Sequence, residues 1–90
     1  MAKFIPVEVF DLVIFGGAGD LAMRKLMPAL YHRDAHGQLP AGCHIISSGR
    51  RGLAQDEFLG MVEEALRSNL ADEEFSGALW QTFSERLQYI

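Results

Sequence analysis

Ninety residues, 49% of them apolar and 22% charged, have the composition of a globular chain and exclude a disordered one. A net charge of −4 with scattered basic residues argues against a nucleic-acid binder, and the single cysteine, Cys43, excludes an intrachain disulfide framework. Glu8 and Asp11 interrupt any apolar leader and no apolar run approaches the ~20 residues of a membrane span, so the expected compartment is the cytoplasm, with no membrane or nucleic-acid partner.

Residues 7–15 are rich in Val, Ile and Phe, and the near-continuous apolar part of Asp11-Leu-Val-Ile-Phe15 predicts a strand covered on both faces. Met23, Leu26, Met27, Leu30 and Tyr31 then follow the i, i+3, i+4, i+7, i+8 spacing of one helix face. Pro28 lies inside that pattern. Without an N–H it cannot donate to the Arg24 carbonyl, so a kink or local break is expected there. Gly37 suits the helix C-terminus, and residues 37–42 read as a loop.

His44-Ile-Ile-Ser-Ser48 predicts a second strand, closed by Gly49 and the pair Arg50-Arg51. A second helix is expected from near Gln55, with Asp56 and Glu57 in its first turn and a stripe of Phe58, Val62, Ala65, Leu66 and Leu70. A third is expected from near Asp72, with Phe75, Leu79, Trp80, Phe83 and Leu87 facing the core. Leu87-Gln-Tyr-Ile90 has the look of a further strand. The order predicts an α/β fold, a Rossmann-like doubly wound parallel sheet of which the first β-α-β-α portion is present. Residues 1–90 are thus expected to be the N-terminal part of a larger dinucleotide-binding domain.

The chemistry lies in Val13-Ile-Phe-Gly-Gly-Ala-Gly-Asp-Leu-Ala-Met23. A pyrophosphate needs close approach to backbone N–H groups at a helix N-terminus, and Gly16, Gly17 and Gly19 leave room for it. Two registers fit: Gly17-x-Gly19-x-x-Ala22, and Gly16-x-x-Gly19-x-x-Ala22, which sets a glycine directly after the strand and is favoured. A Walker loop fails because Leu26 follows Lys25. Asp20, an anion near the expected phosphates, is assigned to the first turn, where its carboxylate can face backbone donors.

At the end of the second strand an NAD site usually presents a carboxylate to the ribose 2′-hydroxyl, whereas arginine suits a 2′-phosphate. No carboxylate occurs from His44 to Leu53, but Arg50 and Arg51 do. Forked hydrogen bonding from a guanidinium favours NADP as the coenzyme. His32 and His36 share a helix face at metal-ligand spacing, but no third ligand accompanies them and no metal is expected.

These motifs carry a family resemblance. Gly16-x-x-Gly-Asp-Leu-Ala22, then Arg24-Lys-Leu-x-Pro-x-Leu-Tyr31, then the strand-end Arg50, resemble bacterial glucose-6-phosphate dehydrogenase. The resemblance implies an NADP-dependent enzyme that oxidises glucose 6-phosphate to 6-phosphogluconolactone, a homo-oligomer when complete. It implies that Gly16, Gly17, Ala18, Gly19, Asp20, Leu21, Ala22 and Met23 line the coenzyme phosphates. By the same resemblance Arg50 meets the 2′-phosphate and Lys25 approaches the substrate. The helical wheel alone puts Lys25 opposite the apolar stripe, a solvent face unless a second domain adjoins it. The family's catalytic Asp-His motif has no counterpart in these residues, so no catalytic residue is assigned. The substrate and catalytic domain is expected outside the chain. The alternative is a non-enzymatic nucleotide-binding or interaction module with a Rossmann-like half.

Overall fold

The computed structural model describes residues 11–16, 18–49 and 52–90. Residues 7–10 of the expected first strand, Gly17, Arg50 and Arg51 lie outside the described residues. In chain order, strand β1 (Asp11–Phe15) leads through the glycine turn to a π-helical turn at Ala22–Leu26, which continues as α1 (Met27–Ala35). Strand β2 (His44–Ser48), α2 (Gln55–Asn69), α3 (Gly77–Ser84) and β3 (Leu87–Tyr89) follow. The sheet order is β1-β2-β3, all parallel, so a third strand extends the expected β-α-β-α portion. Leu12, Ile45 and Leu87 form one cross-strand row, and Val13, Ile46 and Gln88 the next.

Alternation along these strands decides what is covered. Ile14, Ile45, Ser47 and Leu87 are buried, and the apolar ones join Met23, Met27, Tyr31, Phe58, Val62, Leu66 and Phe83 in one core. Val13 and Phe15, on the opposite face, remain 48% and 85% exposed. The strand expected to be covered on both faces is thus covered on one. The described helices pack on one another over the same face, leaving alternate β1 side chains bare.

The break anticipated at Pro28 takes the form of the π turn. Met27 N–H donates to the Ala22 carbonyl, five residues back, one step before the residue that has no N–H to give. Ala22 thereby joins Met23, Met27 and Tyr31 in the core, while Leu26, predicted on the stripe, is 42% exposed. Helix α1 closes where Gly37 predicted. Gly37 adopts φ +69°, its N–H donates to Asp34 O, and Gln38 N–H donates to Arg33 O. This is a Schellman closure, which needs a left-handed residue at that position.

The third helix starts later than expected. Residues 72–74 form a turn, and Ser76 caps α3 by accepting the Leu79 N–H on its Oγ. Tyr31 fixes that start from across the core. Its hydroxyl accepts the Ser76 N–H at 3.0 Å, and its ring stacks on Phe75 and meets Phe83 edge-on. The α2 stripe packs as predicted around the fully buried Phe58, Val62 and Leu66, and Phe83 of α3 is fully buried. Leu79, however, is 37% exposed, and Leu87, expected on the same helix stripe, lies in β3. Cys43 is buried, as its small apolar character predicts. Among the described residues no helix is long and apolar enough to cross a membrane.

Candidate functional site

Three strands running in parallel bring their C-terminal ends to one rim, where α/β sheets hold their ligands. Gly16 leaves β1 with φ +74°, a left-handed conformation that a side chain would strain. Among the described residues, its chain neighbours aside, no atom lies within 4 Å of where a Cβ would stand, so a ligand can approach this backbone. The turn closes as Gly19 N–H donates to Gly16 O at 2.9 Å. A Cβ on Gly19 would lie 3.1 Å from that same oxygen, so the turn itself requires a small residue there.

Met23 N–H donates to Gly19 O, which makes residues 20–22 the leading helical turn. Such N–H groups lack intrahelical acceptors and point at whatever anion occupies the rim. The structure therefore fits a pyrophosphate on backbone donors of this turn.

The candidate residues divide by burial. Gly16, Gly19, Asp20 and Leu21 are exposed, while Ala18, Ala22 and Met23 are buried and have only their backbones to offer a ligand. Gly17 and Arg50 lie outside the described residues, as does Arg51. Asp20 is in the first turn as expected, but among the described residues its carboxylate caps no backbone donor. It pairs with Arg24 at 2.8 Å, one turn along the helix and in solvent. The i, i+4 spacing brings the two charges together and draws the anion along the helix side. Lys25 is exposed, on the π turn.

The rim is tied across all three strands. Gly16 N–H donates to Ser48 O at 2.6 Å, joining the glycine turn to the exit of β2. Ile90 N–H donates to Ser47 O at 2.9 Å, joining the exit of β3 to the same strand. Gln55, at the start of α2, holds the outer edge of β3. Its Nε2 donates to Leu87 O at 2.7 Å and its Oε1 accepts Tyr89 N–H at 3.0 Å. One side-chain amide thus replaces a neighbouring strand, a role that no sequence pattern marked.

The histidines lie elsewhere. His36 Nδ1 pairs with the backbone carbonyl of His32, His32 is 3.9 Å from Glu74, and His44 pairs with Asp11. Among the described residues no three His, Cys, Asp or Glu side chains are grouped to hold a metal ion. A cavity of about 350 Å³ lined by Tyr31, His32, His36, Leu70, Glu74 and Leu79 includes no residue of the glycine turn.

Comparison with known proteins agrees with this geometry. Residues 13–90 match the family model described as glucose-6-phosphate dehydrogenase, NAD binding domain. Glucose-6-phosphate 1-dehydrogenase of Rhizobium meliloti is 46% identical over 89 residues, covering 99% of this chain and 18% of its own length. The Gluconobacter oxydans protein of the same name is 41% identical over 90 residues, covering all of this chain and 18% of its own length.

Among solved structures, glucose-6-phosphate 1-dehydrogenase from Mycobacterium avium superposes with a TM-score of 0.80 at 30% identity. That match covers 91% of this chain and 18% of the other. A glucose-6-phosphate dehydrogenase in complex with its substrate glucose-6-phosphate also superposes at 0.80, with 27% identity, over all of this chain and 18% of that one. This chain spans about a fifth of the length of the relatives it matches.

Proposed function

The chain belongs to the glucose-6-phosphate dehydrogenase family, and we propose from that premise that it is the coenzyme-binding segment of an NADP-dependent dehydrogenase. The reaction is the oxidation of glucose 6-phosphate to 6-phosphogluconolactone, the entry to the pentose phosphate pathway. NADP supplies the hydride acceptor. The observation that carries the reading is the left-handed, open Gly16 turn between a parallel strand and a helix, inside the region matching the family's coenzyme domain.

In this reading the turn from Gly16 to Met23 receives the coenzyme pyrophosphate on its backbone, with Gly17, Ala18, Asp20, Leu21 and Ala22 completing the path. Gly16 and Gly19 admit the phosphates, whereas Ala18, Ala22 and Met23 pack the helix onto the sheet. Arg50 follows the exit of β2 and supplies a guanidinium to the 2′-phosphate, which selects NADP over NAD. Lys25, exposed on the π turn, faces the side on which a substrate domain would close and is the substrate-proximal residue. No residue of this chain is assigned a catalytic role. Glucose 6-phosphate is the partner of the complete, homo-oligomeric enzyme in the cytoplasm.

The test is coenzyme titration, with NADP and NAD in parallel, of the protein and its Arg50→Ala variant. The variant is expected to lose NADP affinity about 10-fold or more, the scale of a charge-assisted contact, with NAD nearly unchanged. Equal losses for both coenzymes would remove the 2′-phosphate role from Arg50. The 90-residue chain by itself is expected to produce no NADPH from glucose 6-phosphate and NADP.

A further inference from the structure

Gly49, the residue after β2, and Tyr89, on β3, meet at the rim. A methyl group on Gly49 would stand 2.8 Å from Tyr89 Oη and 3.6 Å from the ring atoms Cε1 and Cζ. The tyrosine hydroxyl therefore occupies the space that any other residue at position 49 would need. Three ties hold that residue against retreat. Its face stacks on Phe58, which is fully buried, with centroids 5.0 Å apart. Its backbone N–H is held by Gln55 Oε1, and the next N–H, of Ile90, by Ser47 O. Gly49 is itself the residue after Ser48, whose carbonyl accepts the Gly16 N–H.

From this contact we infer that Tyr89 is a positioning residue for the adenosine end of the coenzyme, resting on the NADP reading above. By fixing Gly49 from the β3 side, it sets the direction in which the chain leaves β2, immediately before the arginine assigned to the 2′-phosphate. The coenzyme preference is then set by a pair of residues, of which the second lies 40 positions downstream on a neighbouring strand. Glycine at position 49 follows from tyrosine at 89. Side chains at a strand end that only packed the core would leave the two coenzymes equally affected.

Three variants of the intact protein test this: Tyr89→Phe, Gly49→Ala and the two combined, each titrated with NADP and with NAD. The backbone amide of Gly16, which donates to Ser48 O at the exit of β2, is followed by NMR in the absence of coenzyme. Tyr89→Phe is expected to lower the NADP-over-NAD preference about 5-fold, the scale of one neutral hydrogen bond or close polar contact. Gly49→Ala is expected to lower it well beyond that, because the new methyl displaces the hydroxyl. The combined variant is expected to return to the level of Tyr89→Phe alone, since removing Oη leaves the methyl at ordinary contact distance from the ring.

The inference is overturned if Gly49→Ala keeps the preference within about 2-fold, or if removing the hydroxyl rescues nothing. Should the unaltered protein show no preference for NADP, the coenzyme reading fails and this role fails with it. The NMR arm separates the two failures. A Gly16 amide displaced by Gly49→Ala and restored in the combined variant upholds the contact, and one insensitive to either change refutes it.

Discussion

Arg86 and Asp34, 52 residues apart, form an ion pair at 3.1 Å in which each side chain is only 10% exposed. The guanidinium spends its remaining donors on backbone. Nη1 donates to Pro40 O at 2.7 Å and to Cys43 O at 3.1 Å, and Nη2 donates to Leu39 O at 3.3 Å. A residue just before β3 thus fastens the loop between α1 and β2. Arginine suits this place because its planar fork serves a carboxylate and several carbonyls together.

Arg86→Ala is expected to destabilise the fold by about 3–5 kcal/mol, since it leaves a buried carboxylate without its partner and three carbonyls without their donor. Chemical denaturation of the variant against the unaltered protein measures this. Arg86→Lys should recover only part of the loss, because a point charge cannot span the same acceptors. Full recovery by lysine would show that charge alone matters.

Gln55→Ala removes both hydrogen bonds from the outer edge of β3. A loss of about 1–2 kcal/mol is expected in denaturation. The exposed edge is also a template for pairing between chains, so sedimentation or light scattering should show increased self-association. Gln55→Glu keeps an acceptor for Tyr89 N–H but loses the donor to Leu87 O, and is expected to fall between the two.

Pro28→Ala tests the origin of the π turn. The new amide at position 28 can donate to the Arg24 carbonyl and favour an ordinary α register across Ala22–Leu26. NMR couplings across hydrogen bonds should report that bond and the loss of the Met27 N–H bond to Ala22 O. An unchanged Met27 bond would mean that packing of Ala22 and Met27, rather than the missing N–H, fixes the turn.

Ser47 is fully buried, and its Oγ has no hydrogen-bond partner among the described residues. Ser47→Ala removes an unsatisfied hydroxyl with little change of volume. We expect it to stabilise the protein by about 0.5–1 kcal/mol, read from the denaturation midpoint. A loss of more than about 1 kcal/mol would reveal an acceptor for this hydroxyl.

By itself the sequence determined the β-α-β order, the glycine turn, the helix end at Gly37, the break at Pro28 and the family. Each is written in local chemistry: a backbone that needs left-handed φ, an absent N–H, an apolar period. It also placed Arg50, the residue proposed for the 2′-phosphate, directly after Gly49. Tertiary structure decided what local pattern cannot encode. Which face of β1 is bare depends on the helices sharing one side, and the late start of α3 depends on Tyr31 reaching Ser76 across 45 residues. The carboxylate of Asp20 turned to Arg24 once the helix set their spacing. The contacts between Arg86 and Asp34, Gln55 and β3, and Tyr89 and Gly49 join residues at least 32 positions apart, and no periodicity links such partners. Only the parallel sheet, by bringing three strand ends to one rim, sets Gly16, Gly49 and Tyr89 beside one another.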